Sequence, residues 1–171
     1  TKLLLTHQDD DHMGAAFELV QRYPRLQVAA SRTERPFLSG EKKNLRLEQA
    51  EQLQEHLPEE QKAFGLQFCQ RPRAARPVKV DREVEEGDWF PWAGGCRVLA
   101  TPGHTPGHIS LYLEQEQVLI TGDAAVAEGG RLEVANPQFC LDPEQAERSL
   151  ERLRGVPCAR YICYHGGVLE K

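Results

Sequence analysis

The sequence lacks cysteine pairs spaced as Cys-x-x-Cys and lacks apolar runs of more than a few residues. Its five cysteines are scattered and odd in number, so neither a disulfide framework nor a cysteine-rich zinc knot is predicted. Because no long apolar run and no charged leader followed by an apolar segment are present, neither a membrane span nor a signal peptide is predicted. We therefore expect a protein of the reducing cytoplasm.

The chain also lacks an excess of positive charge, and its formal net charge is −5. An acidic balance disfavours nonspecific attraction to nucleic acid or to an anionic membrane, and it favours a small-molecule partner. The sequence contains no long repeat or low-complexity segment. At 171 residues and 40% hydrophobic composition, the chain is predicted to form a single domain over residues 1–171 that buries a sizeable core, and a homo-oligomer is compatible with this size.

The first thirty residues or so predict a strand–loop–helix–strand unit, which is typical of layered α/β folds. The apolar run "KLLLT" predicts a buried strand, and a polar cluster follows it. Apolar residues at near-helical spacing in "MGAAFELVQRY" predict a helix that ends at Pro24, and "LQVAA" predicts the second strand. Because the chain begins inside such a strand without a methionine, we expect it to be incomplete at its N-terminus.

Residues 31–77 differ in character and predict an excursion between core elements that shapes access of the substrate. Residues 46–63 are charged, and the stretch around Leu47 to Leu57 has leucines and alanine on one side, which predicts an amphipathic helix. The basic stretch "RPRAARPVK" has two interpretations: a surface strand with solvated arginines, which we favour, or an anchor for a carboxylate or phosphate of the substrate. The basic residues concerned are Arg71, Arg73, Arg76 and Lys79.

From Val78 onward the pattern predicts strands joined as an antiparallel meander. The predicted strands are "VKV", "CRVLAT", "ISLYLE" and "QVLITGD". Asp142, followed by Pro143, predicts the N-cap of a helix that runs to about Arg154. The run "ARYICY" predicts a final strand.

Histidines and acids collect where predicted strands give way to loops. Four of the six histidines and one aspartate lie at such places: His7, His12, His104, His165 and Asp123. Side chains from several strand ends can converge in space, and imidazole and carboxylate together suit zinc, iron or manganese. The alternative is that each histidine is an ordinary surface residue and that Asp9–Asp11 forms a solvated loop or a helix cap. A cap needs only one carboxylate, however, and this loop has three between two imidazoles.

Taken together, these segments resemble the metallo-β-lactamase superfamily, in its branch of glyoxalase II and lactonase-like metallo-hydrolases. "THQDDDHMG" is similar to the His-x-His-x-Asp-His signature, "TPGHTPGH" to the second metal motif, "LITGDA" to the strand of the bridging aspartate and "YICYHGG" to the last ligand segment. The resemblance implies an α/β fold of the four-layer αββα sandwich type. It also implies that the N-terminal strands of that fold are missing from this chain.

The resemblance further implies two divalent metal ions. His7, Asp9 and His104 would hold one metal, Asp11, His12 and His165 the other, and Asp123 would bridge them. Asp11 and Asp123 would also orient the catalytic nucleophile. His108 would support the loop by hydrogen bonding. Substrate-binding residues are not indicated.

Asp9 departs from the family pattern, because most members have a histidine at this place. A carboxylate adds negative charge and a hard oxygen donor, which favours iron or manganese more than an all-histidine site does. Zinc is still the first expectation. The flavodiiron branch has a glutamate at the equivalent place, so a di-iron oxidoreductase is an alternative.

The resemblance implies a binuclear metal-dependent hydrolase that directs a metal-activated hydroxide at a small ester, thioester or lactone. Three alternatives to this hydrolase are open. They are the di-iron oxidoreductase, a nucleic-acid phosphodiesterase or β-lactamase, and a metal-free binding or regulatory descendant.

Overall fold

The computed structural model describes residues 1–171, and the chain divides into two units, each with its own core. The first unit consists of Thr1–Ala30 and Glu34–Glu83, and the second of Ser31–Thr33 and Val84–Lys171. The single-domain organisation expected for residues 1–171 stays a prediction. None of the helices has the length and apolar character needed to cross a bilayer.

In the first unit, the predicted strand–loop–helix–strand pattern is confirmed. Strands β1 (Lys2–Leu5) and β2 (Gln27–Ser31) pair in parallel in a sheet of order β1–β2–β3, with β3 at Arg82–Val84. The helices are α1 (Asp10–Met13), α2 (Ala16–Arg22), α3 (Arg35–Leu38), α4 (Leu45–His56) and α5 (Glu59–Ala74). Buried apolar side chains from the strands, the helices and the segments between them form its core: Leu5, Met13, Ala16, Val28, Ala30, Leu38 and Val78.

Within residues 31–80, the helix predicted around Leu47–Leu57 is confirmed, and two other predictions are wrong. That helix is α4, which ends at His56 because Pro58 disfavours a helical conformation at the preceding residue, and Leu57 is extended; α5 follows as a second helix. The basic stretch is not a surface strand, since α5 continues to Ala74. The predicted strand "VKV" is also absent; the amide of Val78 instead donates to the carbonyl of Leu38, and the strand begins at Arg82.

The second unit contains a six-stranded sheet, a separate two-stranded sheet and one long helix. Its strands are β4 (Trp89–Phe90), β5 (Cys96–Ala100), β6 (Ile109–Leu113), β7 (Val118–Gly122), β8 (Val126–Glu128), β9 (Arg131–Glu133), β10 (Arg160–Cys163) and β11 (Gly167–Glu170). The sheet has the order β11–β10–β7–β6–β5–β4, and β8 pairs with β9 separately. The antiparallel meander is confirmed for β5 to β7, and β4, which was not predicted, pairs antiparallel with β5. β10 is not the final strand, because β11 follows it; β10 itself joins β7 in parallel.

Helix α6 (Pro143–Gly155) covers the core of the second unit as the capping pattern predicts. The Asp142 carboxylate accepts the amide of Gln145 at 2.9 Å. One face of α6 carries Ala146, Leu150 and Leu153, which are buried with the strand residues Leu119 and Tyr161. The helix therefore shields the apolar side of β7 and β10.

An ion pair ties α6 to the end of β5. Arg152 donates to both carboxylate oxygens of Glu86 and to the carbonyl of Ala100, and the amide of Ala100 donates to Glu86 at 2.6 Å. Burial alone would raise the pKa of Glu86, but the bonds from Arg152 and Ala100 outweigh it and hold the pKa below its usual value of 4.5. The ionised Glu86 side chain is therefore favoured by the fold.

Replacing Glu86 by glutamine should lower the free energy of unfolding at neutral pH by about 1 kcal/mol, because both partners are partly exposed and screened. A carboxyl with a lowered folded pKa stabilises above its unfolded pKa and loses this contribution as pH falls through the folded pKa. Urea denaturation across that range should show the wild-type advantage disappearing in acid. Glu85→Gln is the control, and an advantage unchanged in acid would contradict the pairing.

Candidate functional site

The first set of predicted ligands lies in the ligand loop, which we define as residues 7–12, directly after β1. His7 is fully buried, and the centroids of the His7 and His12 rings lie 4.2 Å apart. His7 Nε2 lies 3.7 Å from Asp9 Oδ2, and His12 Nε2 lies 3.8 Å from Asp11 Oδ2, although the Asp11 side chain is 40% exposed. The loop therefore gathers four groups of metal-ligand type in the first unit.

Helix α1 sets the direction of the loop side chains. The carbonyl of Asp9 accepts the amides of His12 at 3.0 Å and Met13 at 2.9 Å, so the first turn begins at this residue. The Asp9 carboxylate, however, makes no cap hydrogen bond to the helix. The Asp9 side chain is therefore not a helix cap, and its carboxylate has another partner.

A buried network holds the ligand loop from the side of α3 and α4. Gln8 and Glu34 are both fully buried, and the Glu34 carboxylate accepts the backbone amide and the side-chain amide of Gln8 at 3.1 and 3.0 Å. The Asn44 side chain donates to the carbonyl of Gln8, and the amide of Leu45 donates to the Gln8 side chain, both at 2.7 Å. Gln8 is thus fixed between two predicted ligands by groups from the excursion.

Asp9 pairs with an arginine from α4. Arg46 Nε and Nη2 each lie 2.9 Å from Asp9 Oδ2, and the two residues are 5% and 6% exposed. A buried charge is tolerated only when it is paired and hydrogen-bonded, and this pair satisfies the rule. The residue that departs from the family signature therefore has its own counter-charge.

The second set of predicted ligands surrounds Asp123 in the second unit. Asp123 follows β7 and is 3% exposed. Its Oδ2 lies 3.5 Å from His104 Nε2 and 3.3 Å from His165 Nε2. His165 follows β10, and because β7 and β10 are parallel, their carboxyl ends lie at the same edge of the sheet. Two ligand atoms at about 2.1 Å from one tetrahedral ion lie about 3.4 Å apart, so these spacings suit a shared cation.

His108 lies beside this set in a directed chain of hydrogen bonds. Its Nε2 accepts the amide of Asp123 at 2.9 Å, so Nδ1 carries the proton and donates to the Thr101 hydroxyl at 2.8 Å. Thr101 then donates to Ser110 at 2.9 Å, because the Ser110 hydroxyl donates to the carbonyl of Thr121. A neutral His108 therefore holds the backbone of Asp123 in place.

Other candidate residues are engaged elsewhere. Asp10 forms an ion pair with Arg71 at 3.1 Å, and burial raises the pKa of its carboxyl although Arg71 opposes this. The remaining basic residues of the proposed anion anchor are also paired with carboxylates: Arg73 with Glu51, Arg76 with Glu18 and Lys79 with Asp81. Local pairing thus accounts for this basic stretch.

The sequence analysis missed the groups that hold the ligand loop, namely Glu34, Asn44 and Arg46. No motif marks them, and they lie 26 to 37 positions away from their partners in the chain. One signal was present: a buried aspartate in place of a histidine requires a cation. With 21 lysines and arginines in the chain, that signal could not identify Arg46.

Histidines and aspartates gathered at strand ends of a mixed α/β fold define a class of candidate metal-binding proteins. Residues 1–165 match the model of the metallo-beta-lactamase superfamily, and the chain belongs to this superfamily. The resemblance drawn from the four sequence motifs is therefore confirmed. Members of the superfamily bind divalent metals, which agrees with the residue types gathered in each unit.

The relatives include hydrolases of small molecules. A hydroxyacylglutathione hydrolase of Synechococcus sp. (strain JA-2-3B'a(2-13)) is 30% identical over 163 residues, which cover 94% of this chain and 47% of the relative. An N-acyl homoserine lactonase of Bacillus thuringiensis is 42% identical over 80 residues, 45% of this chain and 31% of the relative. The chain thus spans about half or less of the length of these curated relatives.

Solved structures confirm the fold class. The crystal structure of TTHA1623 in a di-iron-bound form has a TM-score of 0.68 and 25% identity to this chain, with 99% of this chain and 71% of that one covered. The α/β fold of the metallo-β-lactamase type is therefore the fold of this chain.

Gly103, next to His104, should not tolerate a side chain. Its φ is +136°, and a Cβ would lie 2.2 Å from the backbone nitrogen of Ala146. We expect Gly103→Ala to lower the free energy of unfolding by about 3 kcal/mol or more, because strain and collision add. The control is Gly130→Ala, where φ is +74° with open space around the site; chemical denaturation should show a smaller loss. Equal losses would contradict the close approach.

Proposed function

We propose that this chain is the metal-binding part of a hydrolase that acts on a thioester or lactone. The observation that carries the proposal is the buried Asp123 carboxylate, which lies within 3.5 Å of imidazole nitrogens from two different segments of the chain. An ionisable cluster of this kind, buried beside a neutral His108, favours a divalent cation as its partner. Superfamily membership supports the same proposal.

The proposed ligands follow the family pattern. His7, Asp9 and His104 would hold one metal, Asp11, His12 and His165 a second, and Asp123 would serve both. The donor chemistry fits, because imidazoles and carboxylates are the usual ligands of zinc, iron and manganese, and His7, Asp9, His104 and Asp123 are buried. We propose zinc as the native metal. The binuclear count belongs to the proposal as well.

Divalent metals bound there would supply a hydroxide nucleophile near neutral pH, by lowering the pKa of water to about 7, and would polarise the substrate carbonyl. Asp123 would accept a hydrogen bond from the nucleophile and orient it, with its own backbone fixed by His108. Asp11, whose side chain is 40% exposed, would help Asp123 to orient the nucleophile.

The substrate class is proposed from the relatives, whose names specify a glutathione thioester hydrolase and an acyl homoserine lactonase. Both substrates contain an activated acyl carbonyl, so one attack mechanism serves either. We propose a small-molecule partner rather than nucleic acid, and the ion pairs of Arg71, Arg73 and Arg76 support this because they leave fewer uncompensated basic groups for phosphates. A cytoplasmic location is part of the same proposal.

Asp123→Asn should lower both metal content and turnover by more than about 100-fold, because a direct ligand matters more than the supporting partners whose loss costs 10- to 100-fold. Elemental analysis of the purified protein and hydrolysis of a thioester and a lactone would be measured together. Asp142→Asn is the matched control, since asparagine also caps helices well. Full turnover and metal content in Asp123→Asn would refute the site.

The same preparation distinguishes the alternatives. Cleavage of a β-lactam or a phosphodiester without cleavage of thioester or lactone would replace the substrate class. Bound iron together with oxygen consumption in the presence of an electron donor would replace the hydrolase by an oxidoreductase. Absence of metal after incubation with zinc would favour a binding or regulatory protein.

A further inference from the structure

The pair of Asp9 and Arg46 is the most completely buried arginine–carboxylate pair among those described in this chain. The side chains are 8% and 6% exposed, whereas the other arginine–carboxylate pairs involve side chains that are mostly a third or more exposed. Two guanidinium nitrogens contact the same carboxylate oxygen at 2.9 Å. Exposed pairs contribute little to stability, but an unpaired charge left in a buried place is costly.

Neighbouring hydrogen bonds also hold the pair in position. Arg46 lies in the first turn of α4, directly after Asn44 and Leu45, which bond to Gln8 of the ligand loop. Arg46 itself also donates to Gln49 one turn further along the helix. The N-cap residue and the first two residues of α4 thus hold two consecutive residues of the loop. A guanidinium fixed in this way can orient a carboxylate as well as neutralise it.

We propose that Arg46 is a positioning residue that fixes the Asp9 carboxylate and cancels its negative charge, which gives the donor set the net charge that it would have with a neutral histidine at position 9. This inference rests on the proposed function, in which Asp9 is a metal ligand. Asp9 and Arg46 form one charge-compensated unit, and neither residue is exchangeable alone.

The charge of Arg46 bears on which metal the site would prefer. The extra charge of Asp9 is one of two reasons to expect iron or manganese, and the oxygen donor is the other. Arg46 removes the first reason. Zinc is therefore compatible with a carboxylate at this position.

The sharpest test restores histidine at position 9. If the two residues form one unit, Asp9→His should weaken zinc binding by at least about 10-fold, because the positive Arg46 then lies uncompensated beside the cation. The double variant Asp9→His with Arg46→Met should bring affinity back to within about 3-fold of the wild type. Zinc dissociation constants would be measured by competition with a chromophoric chelator, and the visible spectrum of the cobalt-loaded proteins would report coordination.

Stability of the metal-free proteins provides a second, independent measurement. Each single change should lower the melting temperature, since each leaves one buried charge without its partner, and the double change should recover most of the loss. Arg46→Lys keeps the charge but not the two-nitrogen contact, so it should keep more zinc affinity than Asp9→His and show an altered cobalt spectrum. Arg35→Met, which removes pairs with Glu41 and Glu83 in the same unit, is the control and should leave zinc affinity unchanged.

The outcomes separate the two proposals. Zinc binding by Asp9→His as tight as in the wild type, or additive losses in the double variant, would overturn the role of Arg46 while leaving the hydrolase proposal intact. A wild-type protein that binds no zinc would overturn the proposed metal site, and with it the metal role of Arg46. Recovery of the melting temperature in the metal-free double variant would still support the charge pairing itself.

Discussion

The conformation of the ligand loop depends on one constraint: each buried charge and polar group in and around the loop must have a partner. Asp9 and Glu34 are carboxylates in places that exclude water, and each is stable there only because donors from another segment reach it. Arg46 supplies a full positive charge, and Gln8 supplies two amide groups. The first unit is organised around these contacts, since they join β1 and the loop to α3 and α4.

These contacts give residues 31–77 a structural role. Their polar composition predicts an excursion that shapes substrate access, a role that stays a prediction. The hydrogen bonds from Asn44, Leu45 and Arg46 show a structural role as well, because they hold the predicted ligand Asp9 and its neighbour Gln8. Glu34 and Arg46 are polar and would be expected at the surface, but both can be buried because each has a buried hydrogen-bond partner in the ligand loop.

Much of the fold could be predicted because it follows local rules. Alternating or continuous apolar runs identify β1, β2 and β5 to β7, and Asp142 with Pro143 identifies the start of α6. Helix α5, which follows Pro58, and strand β3, which begins at Arg82, were not predicted. In the second case the amide of Val78 bonds to Leu38, a distant residue, and local propensity does not encode such a partner.

The candidate site shows the same limit. The motifs identify His104, Asp123 and His165, and strand ends lead one to expect that they meet; the distances place them together, while their role as ligands is a proposal. Arg46 could not be identified, because its contact with Asp9 depends on the packing of α4 and not on spacing along the chain. Residue types that ligate metals form recognisable motifs, but their counter-charges do not.

The parallel pairing of β7 with β10 has a consequence for the order of folding. The groups of the ligand loop lie within one short segment, so they can approach one another early and at little cost in loop-closure entropy. Asp123 and His165 meet only after the chain has passed through β8, β9 and α6 and docked β10 beside β7. Contacts of such long sequence separation form slowly. In the proposed metal site, the donors of the ligand loop would therefore come together first, and those around Asp123 last.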